Sequence, residues 1–491
     1  MVSTDVVVVL PGIMGSTLGL KEGDRPASEK MVWALDAGAI WRGATGLGPS
    51  IKDFALPAGI GDGHPGDGIE PVGLMGDVHV IPGLWTPVRG YDTLPAHLRT
   101  LGYDEGKGNL VLFAYDWRLS NRYNGARLAS TVGPVLERWR AQGGEYADAK
   151  LVLIAHSMGG LVSRWFLEEC GGAEITRKLI TLGTPWRGAA EAVGQLVNGV
   201  RKGIGPISLD LTSFARSLPS LHQLMPEYAC IDTGADFAKT TETTLPELDT
   251  AMVTDAMSFH TTLQQRERAR PGALEDTHML VGTRQPTATT VRISDGRAET
   301  YQDFHGQNDF GDSTVPLAGA VGLDQELDTN RIVRIAENHG NLQNNGPVLD
   351  EVTEILGARP TRPRLLAPIE LRVGLPTLVL TSETLLVDVT VEGEPAPAVT
   401  VTVRDERKKV VARRRPRLSE GHGLARFDEL GPGLHTVTVS GPNGSDVLPV
   451  TAATLVWRAP ETSTSARETP AARRSSSARR ALSARRASSG Q

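Results

Sequence analysis

Cysteine is nearly absent from this chain. Cys170 and Cys230 are the only two in 491 residues, which excludes a disulfide framework, and neither shows metal-ligand spacing. Both read as reduced, mostly buried thiols of a cytosolic protein. No apolar run approaches the ~20 residues that a bilayer-spanning helix needs, so contact with lipid is expected to be peripheral. Basic residues are not in excess either: the net charge of −6 gives no argument for nucleic-acid binding. The N-terminus lacks the basic region of a signal peptide. Val6-Val7-Val8-Val9-Leu10 is short and stops at Pro11-Gly12, and reads instead as a buried strand.

What is present is enough material for more than one core. Hydrophobic residues make up 40% of a chain too long for one ordinary domain. Over residues 1–358, short apolar runs recur at Val6–Leu10, Leu110–Phe113, Leu151–Ile154, Leu179–Leu182, Met279–Val281 and Ile332–Ile335. Helix-like stretches such as Leu161–Glu169 lie between several of them. Strands alternating with helices imply a parallel sheet covered on both faces. Two excursions, about 20–88 and 187–275, interrupt the pattern and are expected to form cap or lid insertions. Ser294-Asp295-Gly296-Arg297 reads as a hairpin turn.

The composition changes after the Pro-rich break near Arg359–Pro363. β-Rich runs over 365–458 with almost no helical periodicity predict a small all-β sandwich, a candidate docking module for a protein partner. Residues 460–491 are Ser, Ala and Arg in low-complexity order and are expected to form no core. Such a basic tail could also be drawn to anionic lipid.

The chemistry centres on Ala155-His156-Ser157-Met158-Gly159, directly after a strand and directly before a helix. That is a nucleophile elbow, in which a sharp turn exposes a serine hydroxyl above the sheet. Small residues must flank it, and Ala155 and Gly159 do. A serine needs a base, and the base a carboxylate, in the chain order Ser, Asp, His for this fold. His339 follows the last strand-like run and is the best base. His305 precedes the acid and His278 lies at the wrong sheet edge. Asp312 in Gly311-Asp312-Ser313-Thr314-Val315 is the best acid, with Asp309 as the alternative. The oxyanion needs two aimed N–H groups. Met158 supplies one, and Ile13 in the Pro11–Ser16 loop is the candidate for the other.

Five elements occur in order: Leu10-Pro11-Gly12-Ile13-Met14-Gly15-Ser16, Tyr115-Asp116-Trp117-Arg118-Leu119, Ala155–Gly160, Leu182-Gly183-Thr184-Pro185-Trp186 and Gly311–Val315. Together they resemble the lecithin:cholesterol acyltransferase family, which includes lysosomal phospholipase A2 and phospholipid:diacylglycerol acyltransferases. The resemblance spans about 6–350 and implies an α/β-hydrolase with a lid and a membrane-touching region. It also implies a Ser157–Asp312–His339 triad with Ile13 and Met158 as oxyanion donors, and it puts Trp33 in the lid or membrane-facing portion. Trp33 and Trp186 are candidate substrate-binding residues, while Asp116 and Arg118 read better as an ion pair between loops. No metal and no cofactor is implied.

The sequence therefore predicts a serine-dependent lipid acyl hydrolase or O-acyltransferase, cytoplasmic and peripheral at membranes. The alternatives are a soluble non-lipid esterase, a partner-activated membrane-targeting effector, and an inactive hydrolase-fold scaffold.

Overall fold

A computed structural model describes residues 4–458 apart from 24, 34–53, 77–89, 205–206, 270–275, 309, 322–330, 358–368, 393–396, 443–444 and 446, with backbone alone over 201–209. The alternative acid Asp309, the tail 460–491 and much of the first excursion lie outside the described residues.

Six strands build the central sheet: β1 (Val6–Leu10), β2 (Leu110–Leu112), β3 (Leu151–His156), β4 (Thr176–Leu182), β5 (Thr277–Thr283) and β6 (Ile332–Ala336). The inner strands β1 and β3 read as apolar runs rather than alternations because both their faces are covered. Val6, Val8 and Leu10 pack with Leu151 and Leu153 on one side. Val7 and Val9 pack with Val152, Ile154, Ile180 and Leu182 on the other. A strand buried on both faces has no place for polar side chains. The spatial order is β6-β5-β4-β3-β1-β2, with all pairings parallel. The chain starts inside the sheet, steps outward to β2, then crosses back to β3 and runs to the far edge. That order and the strand–turn–helix at Ser157 define an α/β-hydrolase fold, and every strand ends at the same carboxyl edge.

Helices α1 (Asn121–Arg140), α2 (Met158–Glu169), α3 (Thr250–Ala269) and α4 (Gly346–Ile355) are the longest in the described part. Ser120 caps α1 by accepting from the Arg122 amide, and Asn345 caps α4 by accepting from Val348. The second excursion is tied down by a buried polar network. The Gln223 side chain accepts from the Asn121 amide (2.8 Å) and donates to Ser120 Oγ (2.9 Å), while its carbonyl accepts from His260 Nε2 (2.8 Å) on α3. The Asp116–Arg118 pair is the ion pair read from the sequence. Arg118 is fully buried, lies 2.7 Å from Asp116, and also reaches Asp67 at 2.9 Å.

The hairpin expected at Ser294–Arg297 is present, between strands Thr290–Ser294 and Arg297–Tyr301. Among the described residues from 370 to 458 the regular structure is all β: β7 (Glu370–Gly374), β8 (Leu378–Leu380), β9 (Leu385–Glu392), β10 (Thr400–Arg404), β11 (Val410–Arg414), β12 (His422–Phe427), β13 (Gly433–Ser440) and β14 (Val450–Trp457). They form two sheets, β7-β9-β12 and β8-β14-β13-β10-β11. Alternation along β9 places Leu385, Val387, Val389 and Val391 in a core of their own with Val401, Val403, Phe427 and Val437. This sandwich and the α/β part belong to one unit, Met1–Arg458.

Burial, aided by the Arg164 charge, lowers the His260 pKa from 6.5 to about 4. The unfolded chain therefore takes up a proton that the folded chain refuses. Stability is unaffected above pH 6.5 and falls as pH drops from there toward 4. Between pH 7.5 and 4.5 the group should cost about 2.5 kcal/mol. Urea unfolding at both pH values checks this: His260→Gln, which keeps a donor for the Gln223 carbonyl, should lose less stability on acidification than the parent by about that amount.

Candidate active site

Ser157 directly follows β3 with φ 54° and ψ −128°, a backbone conformation that non-glycine residues rarely adopt and that typically costs about 1–3 kcal/mol. Its neighbours hold it there. The Ser157 amide donates to Leu182 O (2.9 Å), and its carbonyl accepts from Gly160 N (3.0 Å) and Thr184 Oγ1 (2.9 Å). Helix α2 starts so close to β1 and Thr184 that a side chain on Gly159 would meet Pro11 O at 2.5 Å, and one on Gly160 would meet Thr184 at 2.1 Å.

His339 lies just past the end of β6, and Asp312 lies in the connection between β5 and β6. The structure brings the three residues together. His339 Nε2 is 2.8 Å from Ser157 Oγ, and His339 Nδ1 is 2.8 Å from Asp312 Oδ2. Nδ1–H donates to the carboxylate, which leaves Nε2 as the acceptor facing the serine hydroxyl. Asp312 is fixed in turn: Oδ1 accepts from the amides of Thr314 (3.1 Å) and Val315 (2.7 Å). Its carbonyl accepts from the His339 amide at 2.7 Å. All three residues are at most 1% exposed. The two rival histidines stand elsewhere: His278 is at the start of β5, the opposite edge, and His305 packs on Phe237 and Phe304.

The loop after β1 touches the nucleophile. A Cβ on Gly12 would lie 2.8 Å from Ser157 Cβ and 3.3 Å from its Oγ, so only glycine fits. Gly12 N is already committed, donating to Tyr91 Oη at 2.7 Å. Ile13 and Met14 are the central residues of a turn closed by Gly15 N to Gly12 O (3.1 Å), with Met14 at φ 60°. The next amide along, that of Ile13, is therefore the oxyanion candidate on this side. Met158 is the first residue of α2, where an amide has no partner within its own helix.

Trp33 and Trp186 are both buried. Trp33 stacks obliquely on Trp117 (4.8 Å) and its Nε1 lies 3.5 Å from Met14 O, in the loop after β1. Trp186 lies against the Arg164 guanidinium at 4.3 Å and donates to Thr181 Oγ1. Both are packed into the hydrophobic core.

Other supporting residues escaped the sequence reading. Tyr91 Oη donates to His156 Nδ1 (2.8 Å), and His156 Nε2 donates to His339 O (3.0 Å). Gly12, Tyr91, His156 and His339 thus form one chain of hydrogen bonds, which braces the loop after β1 against the histidine loop. Burial pushes the Tyr91 phenol well up, so it stays an O–H donor. Gly183 was legible as a motif glycine, though not its job: at φ +59°, a Cβ there would meet Leu342 (2.6 Å), Asp312 Oδ2 (2.9 Å) and His339 Nδ1 (3.1 Å). Among the described residues no group of three or more His, Cys, Asp or Glu could hold a metal ion, and no helix is long and apolar enough to cross a membrane.

Comparison with known proteins shows a similarity to one family. The family model described as lecithin:cholesterol acyltransferase matches residues 84–296, which hold Ser157, Gly183 and Thr184. Over that stretch the chain is similar to the lecithin:cholesterol acyltransferase family. The lysosomal phospholipase A and acyltransferase of Bos taurus is 26% identical over 242 residues, 47% of this chain and 56% of that protein. The human protein of the same name is 29% identical over 140 residues, 28% of this chain and 32% of its own length. Lecithin-cholesterol acyltransferase-like 4 of Arabidopsis thaliana is 26% identical over 236 residues, 45% of this chain and 41% of that one. The chain spans between about a third and just over half of the length of these curated relatives. Among solved structures, the lipase BlEst2 of Bacillus licheniformis in its propeptide form aligns with TM-score 0.36 and 12% identity over 92% of this chain and 93% of that one. Asp312 and His339 lie beyond the family match, so their assignment rests on the geometry.

Gly183→Ala tests how tightly that geometry is held. The methyl group should push Asp312 and His339 apart and slow Ser157 phosphonylation by a fluorophosphonate about 10²-fold. Circular dichroism should show the fold retained; an unchanged rate would mean that the approach at Gly183 is not tight.

Proposed function

We propose that this protein is a serine acyl hydrolase or O-acyltransferase acting on lipid esters. The observation that carries the reading is the hydrogen-bonded series Ser157 Oγ, His339 Nε2, His339 Nδ1 and Asp312 Oδ2, with 2.8 Å at each of its two contacts. Similarity to the lecithin:cholesterol acyltransferase family over residues 84–296 favours lipid esters as the substrate class.

In this mechanism His339 Nε2 takes the Ser157 proton as Oγ attacks the ester carbonyl. Asp312 keeps Nδ1 protonated and stabilises the imidazolium that forms. Negative charge develops on the carbonyl oxygen, where the amides of Met158 and Ile13 receive it; losing one such donor typically costs about 10²–10³ in rate. The tetrahedral intermediate collapses as His339 gives the proton to the departing alcohol or lysolipid oxygen, leaving an acyl group on Ser157. Water or an acceptor alcohol, deprotonated by His339, then releases it. One triad serves both outcomes, and the acceptor decides between hydrolysis and transfer.

The test is mass spectrometry of mixed phospholipid vesicles incubated with the full chain and a long-chain alcohol. Free fatty acid with lysolipid is the expected product, together with any ester of the alcohol. Ser157→Ala should lower the yield by about 10⁴–10⁶-fold. Products that persist unchanged in the variant would contradict the reading. Turnover of soluble esters with none of lipid would move it to a soluble esterase.

A further inference from the structure

We propose that the C-terminal β-sandwich is a positioning part of this active site, acting through Gln285 and Glu337, which fasten the acid loop and the histidine loop to its strands. The inference rests on the catalytic reading of Ser157, Asp312 and His339 and goes beyond it, because the sandwich supplies none of the reacting groups.

Gln285 follows β5 and is fully buried. Its backbone exchanges two hydrogen bonds with Gly311, at 2.9 and 3.1 Å, immediately before Asp312. Thr287 Oγ1 adds a second tie, accepting from the Ser313 amide (2.9 Å) and donating to Gln285 O (2.8 Å). The Gln285 side chain turns the other way. Nε2 donates to Leu371 O and Oε1 accepts from Val373 N, both at 3.0 Å. Strand β7 is the edge of its sheet, so a single amide side chain pairs with its open side as a neighbouring strand would. Leu371 and Val373 are also buried in the sandwich core, which fixes the register of that pairing.

Glu337 does the same for the base. It follows β6, stands two residues before His339, and is 1% exposed. Oε1 accepts from the amides of Asn338 (2.8 Å) and Thr451 (2.9 Å), the latter on β14. Oε2 accepts from the side chains of Asn341 (2.6 Å) and Asn345 (2.9 Å), the latter the cap of α4. Four donors surround the carboxylate, so it joins the histidine loop, a helix start and a sandwich strand at one point. Burying a carboxylate raises its pKa, and the four donated bonds work against that rise. Breaking the Thr451 bond would remove one of the few groups that offset its desolvation.

The seam between the two anchors is not packed solid. A cavity of about 190 Å³ lies there, lined by Ser313, Asn338, Val373, Leu375, Thr451 and Ala453 among others. Register between sandwich and loops is therefore set by directional hydrogen bonds rather than by close packing along the whole seam. A sandwich that were merely a tethered docking module would not need its backbone bonded to side chains beside Asp312 and His339.

The experiment compares full-length Gln285→Ala with Val387→Ala, a cavity in the sandwich core away from the loops. Each is read for thermal midpoint, for the rate of Ser157 phosphonylation, and for hydrogen exchange over 310–316 and 337–345. Gln285→Ala should slow phosphonylation about 10–100-fold and speed exchange over 310–316. Val387→Ala should change neither, even at a comparable loss of thermal midpoint. Gln285→Glu, which keeps the acceptor for Val373 N and loses the donor to Leu371 O, should fall between. A Gln285→Ala protein indistinguishable from the parent in both readouts would overturn the proposal, as would a Val387→Ala protein that reproduces its effects. Should the parent not react with the phosphonate at all, the nucleophile assignment fails, and the exchange comparison still decides whether Gln285 holds the acid loop.

Discussion

His339 is the point on which the rest of the structure turns. Its ring joins the segment after β3, through Ser157, to the β5–β6 connection, through Asp312. Its amide donates to Asp312 O and its carbonyl accepts from His156. Three pieces of chain that are distant in sequence are thus held at one buried residue, with spacing fixed on both faces of the ring. A parallel sheet makes this workable, because all its strands deliver their following loops to one edge. The strained Ser157 turn is tolerated there because Leu182, Gly160 and Thr184 bond it from three sides.

Much of the site's polarity is spent on holding rather than reacting. Tyr91 and His156 brace the loop after β1, Arg118 and Asp116 lock the connection after β2, and Gln285 and Glu337 tie the loops that carry Asp312 and His339 to the sandwich. Every one of these side chains is buried with its partners supplied, and such groups specify geometry because leaving any of them unpaired is costly. The same logic separates Trp33 and Trp186 from the reacting groups. One lies by the loop after β1 and the other against Arg164, so both contribute packing around the site.

The strands and the three residues of the candidate triad were legible in the sequence for local reasons. Val6–Leu10 and Leu151–Ile154 are unbroken apolar runs because their sheet is buried on both faces, and Ser157, Asp312 and His339 stand in the order the fold imposes. The supports were not legible because their partners are remote and carry no pattern. Glu337 meets the Thr451 amide 114 residues away, and Gln285 meets Val373 88 residues away. Tyr91 is an ordinary tyrosine before a helix until Gly12 and His156 are placed beside it. Gly183 stood in plain view, yet only the position of Asp312 and His339 explains why no side chain fits there.

The central claim is that one serine is activated by one histidine. Intact-mass spectrometry after incubation with a fluorophosphonate tests it most directly, with peptide mapping of the adduct. The account predicts a single adduct on Ser157 in the parent chain and none at matched times in Ser157→Ala or His339→Ala. An unlabelled parent, or labelling that survives in either variant, would contradict it.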